Sequence, residues 1–110
     1  MKHNKPKFQV GDECRIRQWD DMERELGVSP SSGTIRCEAL FTPAMRSLCG
    51  KNFTIESVYQ RPDGEYRYHS VEKTEYMGYD RPRYTISGDM LELIKNFNTA
   101  SNEEIDLLMG

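Results

Sequence analysis

The sequence predicts a mainly β fold: a small barrel or roll of about five short strands, with two short helices inserted after the first strand and a C-terminal helical tail. Three observations carry this. Apolar and polar residues alternate with period two in several short stretches bounded by turn residues. The helical patterns last only one or two turns. The 110 residues allow one domain and hardly a second.

The elements follow in order. Val10-Gly11-Asp12 signals a turn, and Cys14 and Ile16 then alternate with Glu13, Arg15 and Arg17 as in a half-buried strand. Trp19 leads into a helix of about two turns. Asp20 and Glu23 are spaced like a capping box, Met22 and Leu26 share a face, and Gly27 suits the residue after the helix. Residues 29–33 are a loop, and 34–37 a short strand candidate. Thr42 and Pro43 open a second short helix, with Met45, Leu48 and Cys49 as its apolar stripe and Gly50 as its stop.

Phe53-Thr54-Ile55-Glu56 alternates again, and the phase breaks near Ser57-Val58, which predicts a bulge. Arg61-Pro62-Asp63-Gly64 places Pro and Gly where a type I turn prefers them. Residues 51–60 and 65–71 therefore make a hairpin, with Tyr66 and Tyr68 on one face and His69 on the other. Residues 72–83 have no strong period. Tyr84 and Ile86 belong to one short strand and Met90, Leu91 and Leu93 to another, with Ser87-Gly88-Asp89 between them. The domain spans 8–94. Residues 1–7 are a flexible basic N-terminus. Residues 95–110 are a linker and a short helix, with Ile105, Leu108 and Met109 on one face; it docks on its own domain, meets a partner or frays.

Hydrophobic residues are 36% and charged residues 30%. Leu, Ile, Val and Phe number 21 of 110, at the edge of the disordered range. The net charge is only −3, however, and disorder usually needs high net charge as well. Six Met, six Tyr, three Cys and one Trp supply the missing apolar bulk. No stretch is long and apolar enough for a membrane span or a secretory signal. An acidic chain, with pI about 5.4, is a poor match for duplex DNA. Cys14, Cys37 and Cys49 form no Cys-x-x-Cys pair, so no metal site is expected. Reduced, mostly buried thiols in a cytoplasm are the expectation.

A family resemblance rests on four runs. These are Val10-Gly11-Asp12 with Ile16-Arg17; Trp19-Asp20-Asp21-Met22-Glu23-x-Glu25-x-Gly27; Phe41-Thr42-x-x-Met45-x-x-Leu48-Cys49-Gly50-Lys51-x-Phe53-Thr54-Ile55; and Ser87-Gly88-Asp89-Met90-Leu91. Together they resemble a group of small proteins of bacteriophages and prophages, over roughly 8–93. The element order is similar to that of Src-homology-3-like barrels, whose first long loop is commonly elaborated. The resemblance implies such a barrel, of phage origin and in a bacterial cytoplasm. It implies no catalytic residues. The group often carries Trp before its final Ser-x-x-Met, where this chain has Arg83-Tyr84-Thr85-Ile86.

Chemistry-bearing constellations are few. His3 and His69 have no evident partner for acid–base work. The acid pairs fall at helix starts, where the helix dipole accounts for them. No cofactor is implied and an enzyme is not expected, a small hydrolase being the alternative. The anomaly is aromatic: all six Tyr fall within 59–84, interleaved with Arg61, Arg67, Arg81 and Arg83. Some of these rings serve as core filler. Tyr and Arg are also the types enriched in binding hot spots, so Tyr66, Tyr68, Tyr76, Tyr79, Arg81, Arg83 and Tyr84 are the candidate binding residues. They support a module that engages a protein partner. The alternatives are a binder of single-stranded nucleic acid or a nucleotide, with Tyr stacking on bases, and a self-associating structural protein.

Overall fold

The computed structural model describes residues 5–79 and 81–95. Strand β1, Glu13–Ile16, puts Cys14 and Ile16 inward and Glu13 and Arg15 outward. Helix α1, Trp19–Leu26, follows, then a 3-10 helix over Pro43–Leu48. Strands β2, Asn52–Gln60, and β3, Tyr66–Ser70, form the expected hairpin. The turn closes by a bond from Gly64 N to Arg61 O of 2.9 Å, and Gly64 supplies the φ of 94° that a side chain would resist. The ladder skips between Ile55 and Ser57, where the broken alternation predicts a bulge. Helix α2, Lys73–Tyr76, a 3-10 turn over Gly88–Met90 and strand β4, Leu91–Lys95, complete the order.

The strands form one antiparallel open sheet in the order β3-β2-β1-β4. The core gathers Cys14, Ile16, Met22, Ile35, Cys37, Phe41, Met45, Leu48, Phe53, Ile55, Tyr68, Tyr76, Ile86, Met90 and Leu91. Met, Cys and Tyr thus supply the bulk that the scarce aliphatics do not. Phe8 packs edge-on against Tyr68, with ring centroids 5.8 Å apart.

Four expectations need correction. The strand expected at Tyr84 and Ile86 is a single bridge, Ile86 to Tyr68. Pro82 has no N–H and is bridged to Met77, and the chain turns again at Gly88, so one pair is all that fits. The strand expected at 34–37 is also only a pair of bridges, from Ile35 to Val28 and to Phe41. There the bond from Cys37 N to Ile35 O, 2.9 Å, curls the backbone out of a ladder. The Asp20 capping box does not form: α1 starts at Trp19 with Gln18 at its N-cap, and Glu23 accepts from Trp19 Nε1 at 3.0 Å instead. Finally, the second short helix is 3-10, closed by bonds such as Met45 N to Thr42 O, 2.9 Å. The linker, the C-terminal helix expected within 95–110 and most of the basic N-terminus lie outside the described residues.

Arg17 holds the long insertion onto the sheet. Its side chain, nearly buried at the end of β1, donates to Asp21 at 2.8 Å, to Glu25 at 2.7 Å and to Asp89 O at 2.9 Å. Burial alone would lower the pKa of Arg17, but the bonds to the two carboxylates reverse this and raise it. The hydrogen bond from Arg17 likewise holds the Asp21 carboxyl below its ordinary range.

Candidate functional site

The Tyr/Arg segment folds as a small loop on an anchored base. At its start, the Tyr76 ring lies edge-on to Phe53 at 5.0 Å, and its hydroxyl donates to Asn52 O at 2.6 Å. Burial, with Glu75 and Glu72 nearby, pushes the Tyr76 phenol well up. The loop then narrows. Gly78 N donates to Arg81 O at 2.7 Å, Met77 bridges Pro82, and Arg83 N donates to Tyr76 O at 2.8 Å. A Cβ at Gly78 would lie 3.4 Å from the Arg81 carbonyl oxygen, an ordinary van der Waals contact. Tyr79 stands at the tip with a relative exposure of 101%, and Arg81 and Arg83 are exposed beside it.

Behind the loop are two adjoining hollows that share Tyr68, His69, Pro82, Tyr84 and Ile86 as walls. One, of about 150 Å3, is also lined by Phe53, Lys73 and Tyr76. The other, of about 140 Å3, is also lined by Tyr59, Arg67 and Thr85. His69 Nδ1 lies 3.1 Å from Ser57 Oγ across the hairpin, and its ring is 5.2 Å from that of Tyr59. The Arg83 guanidinium is 6.0 Å from the Tyr84 ring. A third cavity, of about 350 Å3, lies between the N-terminal segment, β3 and the turn at Gly88, lined by Lys5, Lys7, Glu38, Tyr66 and Asp89.

The seven candidate residues therefore divide by environment. Tyr68 and Tyr76 are buried in the core, and the Tyr68 hydroxyl accepts from Lys7 N at 2.9 Å and Phe8 N at 3.3 Å. Tyr66 and Tyr84 are half-buried, and Tyr79, Arg81 and Arg83 are exposed. Tyr68, Tyr76 and Tyr84 meet around one hollow, whereas Tyr66 faces the cavity on the N-terminal side.

Two further residues belong to the site. Tyr59 lines the smaller hollow although it reads as an ordinary strand residue. Arg67 is fully buried: it donates to Tyr66 O and to Glu65, each at 2.8 Å, and lies 4.0 Å from Glu38. Strand alternation places Arg67 opposite the Tyr66/Tyr68 face, which ordinarily means solvent. Nothing local in the sequence marks Glu38, 29 positions earlier, as its neighbour.

Among the described residues, no group of three His, Cys, Asp or Glu side chains is placed to hold a metal ion. No described helix is long and apolar enough to cross a membrane. No protein-family model, curated protein or solved structure matches the chain.

Proposed function

We propose that the chain is a non-catalytic protein-binding module of phage or prophage origin, acting in the cytoplasm of a bacterial host through the loop that carries Tyr79, Arg81 and Arg83. The fold it uses is an opened Src-homology-3-like barrel. In support, β4 lies beside β1, β1 beside β2 and β2 beside β3, and Ile86 stands on the far side of β3 where a further strand would run. The motif runs in 10–27 and 41–55 support the origin.

One observation carries the binding role. Tyr68 and Tyr76 are buried with their hydroxyls bonded internally, yet Tyr79 is wholly exposed on a hydrogen-bonded loop that also carries Arg81 and Arg83. A chain short of apolar residues leaves one of its largest rings in water. Tyr on a preorganised loop gives contact area at low entropic cost. A photo-cross-linking residue placed at 79, with Arg24 on α1 as the control position, tests this in bacterial cells. A discrete protein adduct at 79 and none at 24 is expected; no adduct at 79, or the same adducts at both, contradicts the site.

Self-association is the second reading. Among the described residues nothing pairs with the outer edge of β4, where Leu93 and Ile94 are about half exposed, and an unpaired edge strand can template pairing with another copy. Sedimentation across a concentration series tests it: a monomer throughout sets it aside.

A further inference from the structure

Strand β4 lies at the opposite edge of the sheet from β3, and the chemistry of that edge is self-complementary. Residues that face each other across a ladder share a face. Glu13 and Arg15 point outward from β1. Glu92, paired with Arg15, and Lys95, paired with Glu13, therefore lie together on the outer face of β4. Strict alternation would put residues three apart on opposite faces. Ile94 is the extra residue that brings them to one side: the ladder passes from Leu93–Cys14 straight to Lys95–Glu13, so Ile94 forms a bulge. The edge thus carries an acid and a base on one face, with Leu93 and Ile94, each about half exposed, between them. Opposite charges already meet across the neighbouring ladder, where Arg15 Nε lies 3.0 Å from the Glu92 carboxylate.

We propose, resting on the self-association reading, that β4 pairs antiparallel with β4 of a second copy about a two-fold axis between Leu93 and Ile94. In that register Leu93 faces Ile94 of the other copy, and Glu92 faces Lys95 of the other copy, once on each side of the axis. Across the junction the outer face then runs Arg15, Glu92, and from the other copy Lys95, Glu13, with the sign of charge alternating at every step. A register centred on Glu92 would instead set two acids face to face, which destabilises a sheet. A two-fold contact is also the ordinary form of self-pairing, because each copy gives and takes the same contacts. On the inner side, Phe8, Leu91 and Leu93 line a cavity of about 440 Å3, which leaves room for the Leu93 of the second copy. The loop carrying Tyr79 lies by β2 and β3, away from this junction, so a dimer presents two such loops to a partner.

The test is sedimentation of the full chain and of two charge variants, each alone and then mixed. Glu92→Lys sets two bases face to face across the junction, and Lys95→Glu sets two acids face to face. Each variant alone is expected to dimerise about tenfold more weakly than the parent, because two cross-strand pairs change sign. An equimolar mixture restores an acid opposite a base at both positions. It is expected to form mixed dimers at least about tenfold tighter than either variant forms by itself. A variant that merely folds less well gains nothing from mixing. Tyr79→Ala leaves dimerisation unchanged. A monomer at every concentration removes the self-association reading and this pairing together. A dimer that neither charge variant weakens, or that mixing does not restore, overturns the β4 pairing alone and assigns self-association to another surface.

Discussion

At the scale of single residues, Tyr68 and Tyr76 are bonded into the core while Tyr79 stands clear of it. Tyr76→Phe removes the hydroxyl bonded to Asn52 O and is expected to cost about 0.5–1.5 kcal/mol in denaturant unfolding. Tyr79→Phe should stay within about 0.5 kcal/mol of the parent. Glu72 gives a pH-dependent counterpart. It accepts from Thr54 N at 2.8 Å, from Thr54 Oγ1 at 2.9 Å and from Ser70 Oγ, capping β2 beside its bulge. Burial alone would raise its pKa, but these bonds lower it below the ordinary glutamate value. Its stabilisation is therefore complete above the ordinary glutamate pKa and lost as pH falls through the lowered one. Glu72→Gln should cost roughly 1–2 kcal/mol at neutral pH, with the gap to the parent closing on acidification. The thiols follow burial. Cys14 and Cys37 are pushed up to about 12, and Cys49 is the half-buried one. A disulfide reagent should therefore modify Cys49 first and reach the other two only on unfolding; equal rates at all three would contradict the core described here.

At the scale of elements, α1 and the 3-10 helix at Pro43–Leu48 show how short helices persist. Neither is long enough to be stable alone. Trp19 links them, its ring 5.9 Å from Phe41 and under the Arg46 guanidinium at 4.7 Å. Met22 inserts fully into the core, and Arg17 pins α1 through Asp21 and Glu25. Met22→Ala should cost about 2–5 kcal/mol, as a buried Met truncation does, measured by chemical denaturation. These elements were legible in the sequence because their information is local: period and Gly stops for both, and Thr42 as N-cap for the second, whereas the Asp20 capping box misled for α1. The hairpin and its bulge were legible for the same reason. The single bridge at Ile86 was not, because the lone residue that pairs there is decided by where Pro82 and Gly88 commit the chain. The 34–37 segment failed likewise: β-branched Thr34 and Ile35 read as strand, and the turn at Cys37 overrides them.

At the scale of the whole molecule, a lean aliphatic content reads as a lean but complete core, with Met, Cys and Tyr in place of Leu and Val. The candidate site was half legible. The concentration of Tyr and Arg in 59–84 was visible, and so was the loop at its centre. Which rings point inward was not, since burial of Tyr68, Tyr76 and Arg67 depends on contacts with Phe8, Phe53 and Glu38 far along the chain. What stands wholly exposed is the Tyr79 ring, ahead of Arg81 and Arg83 on a loop tied back to α2. Once a cross-linked partner is in hand, its affinity for the parent and for Tyr79→Ala, measured by calorimetry alongside both melting points, tests this most directly. A hot-spot tyrosine predicts a loss of affinity of about 30-fold with the melting point unchanged. An affinity within twofold of the parent would contradict it.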